Sequence, residues 1–126
     1  MKTERGIVIT AENLVEIADL KPYYDATFIA LQTLVKGSIT DYPVKDMNDR
    51  LRVVVDPAAE LKGCALNTAA SFLHDGALYG TAVIMQTVTR EVGEDLGEVD
   101  NLEQMVTYLI DRFPFLHFCE GGDQCD

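Results

Sequence analysis

The sequence predicts an all-α protein, a compact bundle of five to six helices, with one short strand admitted near Gly6 to Thr10. Three observations carry this expectation. Cap residues and prolines recur at helix-length intervals, apolar residues stand at helical spacing before Pro114, and opposite charges sit four residues apart.

Taken in order, Thr10 is placed to cap a helix through Leu20, with Leu14, Ile17 and Ala18 on one face. Pro22 then opens a second helix to Lys36, apolar nearly all round and closed by Gly37, which makes it the central helix of the bundle. From Pro43 the spacing of Val44, Met47, Leu51 and Val55 is helical, supported by Asp46 with Arg50 and Arg52 with Asp56; the β-branched run Val53-Val54-Val55 keeps a strand open over 51–55. Asp56-Pro57 reads as a cap and first turn leading to Leu73, followed by a break at His74-Asp75-Gly76 and an apolar segment to Val92. Gly76-x3-Gly80 fits a close helix crossing. The last helix is the clearest: Asp100 and Glu103 resemble a capping box, and Leu102, Met105, Val106, Leu109, Ile110 and Phe113 share one face until Pro114. Residues 1–126 are thus read as a single helical domain, with 114–126 a C-terminal tail packed on the bundle.

Composition bounds the function. A chain of 126 residues, 48% hydrophobic and 25% charged, has the balance of one folded domain. The first twenty residues lack the apolar core and cleavage site of a secretory signal, three cysteines make no disulfide framework, and polar residues interrupt every apolar stretch. A cytoplasmic protein that neither crosses nor anchors to a membrane is expected. The net charge of −11 is uneven: residues 1–36 and 37–62 each carry −1, residues 63–90 are neutral, and residues 91–126 carry −9. Ten dispersed Lys and Arg against 21 Asp and Glu disfavour direct nucleic-acid binding.

Four groups of residues are candidates for chemistry. Glu91, Glu94, Asp95, Glu98, Asp100 and Glu103 would be gathered by a helix or tight turn into an acidic, partner-binding face. Asn67, Ser71 and His74, with Cys64, form a polar stripe on one helix face and are the weaker ligand-site candidates; Cys64 and His74 stand too far apart on a straight helix for a nucleophile–base pair. His117, Cys119 and Cys125 offer metal-ligating atoms at a spacing that matches no common zinc site, so no metal is assigned. The Gly76-x3-Gly80 pair also fits a symmetric contact, which keeps a homodimer compatible with the sequence.

Phosphate-cradling, dinucleotide, zinc-protease and nucleophile-elbow motifs are absent, and no catalytic residue or cofactor is assigned. The expected function is a non-enzymatic interaction module whose acidic face engages the basic surface of a nucleic-acid-binding protein, in the manner of an inhibitor that mimics nucleic acid. The alternatives are a small helical ligand-binding or enzymatic domain around Asn67, Ser71 and His74, and a structural subunit of a larger complex.

Overall fold

In a computed structural model the described residues, 4–20, 26–45, 47, 49–90 and 93–118, form a sheet-centred α/β fold. The elements in order are β1 (Glu4–Ile9), β2 (Leu14–Leu20), α1 (Ala26–Val35), β3 (Thr40–Pro43), β4 (Leu51–Val55), α2 (Thr68–His74), β5 (Ala82–Arg90), β6 (Gly93–Gly97), α3 (Leu102–Arg112) and β7 (His117–Phe118). The seven strands make one sheet in the order β3-β4-β5-β1-β2-β7, with β6 beside the far half of β5. Every pairing is antiparallel except the two-residue pairing of β7 with β2.

The sheet is covered on both faces. Ile7, Ile9, Val53, Val55, Ala82 and Ile84 pack beneath α2 and α3. Their neighbours Val8, Val54, Val83 and Met85 pack on the other face beneath Leu31 and Val35 of α1. This double burial overturns the expected all-α bundle of five to six helices. A strand buried on both faces is apolar at consecutive positions, so the alternation that marks a half-buried strand is erased. The β-branched content of Ile7-Val8-Ile9 and Val53-Val54-Val55 was the remaining signal, because branched side chains suit a pleated surface.

Individual elements change with it. The expected helix from Thr10 to Leu20 is strand β2, and Thr10 caps the preceding hairpin turn: its Oγ1 accepts from the Leu14 N–H at 3.1 Å, while Asn13 takes a left-handed φ of 70°. Asp56 also caps, its Oδ1 accepting from the Ala58 N–H at 2.9 Å, but the turns that follow end at Gly63, φ 82°. The helix expected toward Leu73 therefore shrinks to α2. Arg52 bonds Asp41 across β3 and β4 at 2.7 Å, not Asp56, because a strand register places them together. Gly76 and Gly80 lie in the α2–β5 connection, where Gly80 has φ 77°, and make no helix crossing. Residues 21–25, including Pro22, and Asp46 lie outside the described residues.

α3 forms where the spacing placed it, with Leu102, Met105, Val106 and Leu109 buried. Its cap is Asn101 in a left-handed conformation, φ 53°, with no side-chain cap bond. After Pro114, Leu116 is buried against the α2/α3 face and β7 returns to β2. No helix among the described residues is long and apolar enough to cross a membrane.

Candidate functional site

Among the described residues, the acids of the last third are spread over β6, the β6–α3 connection and α3. Strand β6 carries Glu94 and Asp95 to opposite sides of the β5–β6 ribbon: Glu94 lies opposite Thr89, and Asp95 opposite Val88. Glu98 closes on Arg5, its carboxylate accepting from the Arg5 backbone N–H at 3.0 Å, from Nε at 3.1 Å and from Nη2 at 2.9 Å. Glu103 accepts from Arg5 Nη1 at 2.9 Å. Its own backbone N–H, and then Arg5, hold the Glu103 carboxyl below the usual carboxylate range, and the hydrogen bond to Glu98, then that to Glu103, pushes the Arg5 guanidinium up. Asp100 pairs with Arg50 Nη1 at 3.6 Å. Cations from the N-terminal half of the chain thus neutralise acids that are remote in sequence. Glu91 lies outside the described residues.

The polar stripe of Asn67, Ser71 and His74 is drawn into the architecture. Asn67 is fully buried. Its Nδ2 donates to Ile9 O at 2.9 Å and Gly80 O at 2.8 Å, and its Oδ1 accepts from the Ala70 N–H at 3.1 Å, capping α2. Ser71 Oγ donates to Asn67 O at 2.7 Å and accepts from the Leu78 N–H at 2.8 Å. Both amide protons of Asn67 are therefore committed to backbone carbonyls, which leaves it no donor for a ligand. His74 lies against Tyr42 with ring centroids 4.5 Å apart and the ring planes tilted by 38°. His117 is exposed on β7; Cys119 and Cys125 lie outside the described residues, and Cys64 is exposed in the loop before α2. Among the described residues no group of three His, Cys, Asp or Glu could hold a metal ion.

A different concavity emerges between α3, α2 and the 44–50 connection. That connection is fastened at both ends: the Lys45 N–H donates to Leu73 O at 2.8 Å, and the Thr87 N–H donates to Arg50 O at 2.8 Å. Met47 packs against the larger core cluster, to which Met105 of α3 belongs. Two cavities of about 310 Å³ each adjoin here, and Met47 and Tyr108 line both. The first is completed by Leu51, Gln86, Val99 and Met105 with Asp100, Asn101 and Gln104 at its rim. The second is completed by Phe72, Leu73 and Arg112, and by the Lys45–Asp75 pair, 2.7 Å apart, in which Lys45 holds the Asp75 carboxyl below its usual range.

Aromatic side chains gather at the second cavity. Phe72 is 62% exposed and stacks on the buried Phe113, centroids 6.0 Å apart; Phe115 meets the same ring at 5.8 Å, and the Arg112 guanidinium lies 5.3 Å from its centroid. Among the described residues no Ser, Cys or His lines either cavity, and the lining of the groove is mostly apolar and aromatic with charged groups at its ends. Sequence reasoning passed over it. The available signal was Tyr108, an aromatic residue on the outward stripe of a helix whose apolar face is otherwise well segregated.

The sequence matches no protein-family model and no curated protein. The fold is similar to part of a crystal structure of the small RNA methyltransferase HEN1, with a TM-score of 0.54 and 16% sequence identity. The similarity covers 78% of this chain and 15% of that one. At this identity the likeness concerns the fold.

Proposed function

We propose that the protein is a non-enzymatic interaction module that docks on a basic protein surface, an activity suited to inhibiting a nucleic-acid-binding protein. The observation that carries this reading is the aromatic-rimmed groove on a molecule of net charge −11. Aromatic, Met and Arg side chains are the types enriched where protein interfaces concentrate their binding energy, and a strong net charge selects a partner of opposite sign. A charge of −11 on each copy works against a homodimer.

The neighbour's name supplies no better alternative. RNA phosphates require clustered cations, and this chain has 10 Lys and Arg against 21 acids. Its sheet is antiparallel apart from β2–β7, unlike the open parallel sheets whose strand-end crevice binds nucleotide cofactors.

The test is affinity capture from the native host, followed by measurement of the captured complex. Affinity should fall at least tenfold between about 50 and 500 mM salt. Glu94→Lys combined with Asp111→Lys should also weaken binding, since both residues are exposed. Glu98 is unsuitable for this purpose because it anchors Arg5. Affinity indifferent to salt and to the double substitution would end the proposal.

A further inference from the structure

We infer that the groove takes one large apolar side chain from a Lys- or Arg-flanked segment of the partner, with the Gln86 amide donating to that segment's backbone carbonyl. This rests on the interaction reading above and adds the chemistry of what enters the site.

Gln86 is the informative residue. It is 3% exposed, yet it lines the first cavity. Its Oε1 accepts from the Asp100 N–H at 3.1 Å, and that bond fixes which end of the amide faces away. Among the described residues its Nε2 has no hydrogen-bond partner, and it is not among the unpartnered atoms sealed from solvent. The nitrogen therefore opens on the cavity. An amide donor that opens on the cavity without a protein acceptor can exchange water for an incoming carbonyl.

The surroundings define the rest. Met47 and Met105 present flexible thioethers that adapt to differently shaped apolar side chains, and Leu51 and Tyr108 close the space around them. The first cavity, at about 310 Å³, has room for one large side chain. Asp100 at one end of the groove is paired with Arg50 and Asp75 at the other with Lys45, so the attraction for a basic flank comes from the net charge of −11 and from exposed Asp111, three residues beyond Tyr108 on α3. Exposed Phe72 and Tyr108 add ring faces on which a cation can stack, as Arg112 does on Phe113. A second copy of this chain meets the same acids with its own charge of −11 and is the wrong occupant.

Panning a random phage-displayed peptide library on the immobilised full chain tests this. The enriched peptides should share one Leu, Met or aromatic residue flanked by at least two Lys or Arg. Measured as labelled synthetic peptides by fluorescence anisotropy, they should bind Met47→Glu and Tyr108→Ala at least tenfold more weakly than the parent. Replacing successive peptide amides by esters weakens one carbonyl acceptor at a time. One such ester should reduce affinity about fivefold for the parent protein and leave affinity for Gln86→Met unchanged, a difference that a simple folding defect cannot produce. No enrichment, or binding indifferent to both Met47→Glu and Tyr108→Ala, overturns the inference. If basic peptides bind with strong salt dependence but ignore the groove substitutions, the interaction module survives and the groove does not. An acidic consensus ends both.

Discussion

Gly37 shows how a correct residue can be needed for a different reason. The expectation was a glycine supplying left-handed backbone at the end of a helix, but Lys36 takes that conformation, φ 64°, and Gly37 donates its N–H to Gln32 O at 3.1 Å. What Gly37 supplies is room. A Cβ there would meet the Asp56 carboxylate, with Asp56 Cγ and Lys62 Nζ both 2.6 Å away. Gly37→Ala should therefore displace the Asp56–Lys62 pair and destabilise the fold by about 1–3 kcal/mol in chemical denaturation. Asp56 itself is held below the ordinary carboxyl value of 3.8, first by the hydrogen bond from Lys62 Nζ and then by the Ala58 N–H. A lowered folded value means that the ionised carboxylate stabilises the protein above pH 3.8, and that this contribution disappears as pH falls through the lower folded value. The melting temperature of Asp56→Asn should accordingly lie well below that of the parent at pH 6 and converge with it in acid below pH 3.8.

Among the elements, α3 is where sequence and structure agree best, and neighbouring residues on it have opposite roles. Leu109 is fully buried in the larger core, and Tyr108 is 39% exposed on the groove. Leu109→Ala should lower stability by about 2–5 kcal/mol, whereas Tyr108→Ala should change it by less than about 1 kcal/mol. Thermal or denaturant unfolding of the two variants decides this, and comparable losses would show that Tyr108 is a core residue. The agreement has a simple source: one face of α3 is buried and the other is solvated, so its period survives in the sequence. Helix α1 has apolar residues nearly all round, and strands β4 and β5 are buried on both faces, so none of them carries a comparably clean period.

At the scale of the whole molecule, the uneven charge along the chain is partly dissolved by the fold. Arg5 and Arg50 come from near-neutral segments and settle on Glu98, Glu103 and Asp100. The net charge that a partner meets at a distance remains −11, which is why salt dependence is expected of the complex as a whole. The short-range surface is different: it is an apolar groove with a mixed-charge rim. Long-range attraction and local fit are therefore separable: raised salt screens the first, and Tyr108→Ala, which leaves the charge unchanged, removes part of the second.

The sequence by itself determined the total charge, the cap residues Thr10 and Asp56 as potential donors and acceptors, and the amphipathic helix before Pro114. These are local properties, set by side-chain chemistry and by spacing within a few residues. Only the tertiary structure decided whether a cap begins a helix or a turn, which cation each carboxylate meets, and that Asn67 is buried between Ile9 and Gly80. It alone also made the groove, since Met47, Gln86 and Tyr108 come from three separate segments. The physical reason is that a sheet joins strands distant in sequence and buries both of their faces, so its strongest stabilising contacts leave no period in the chain.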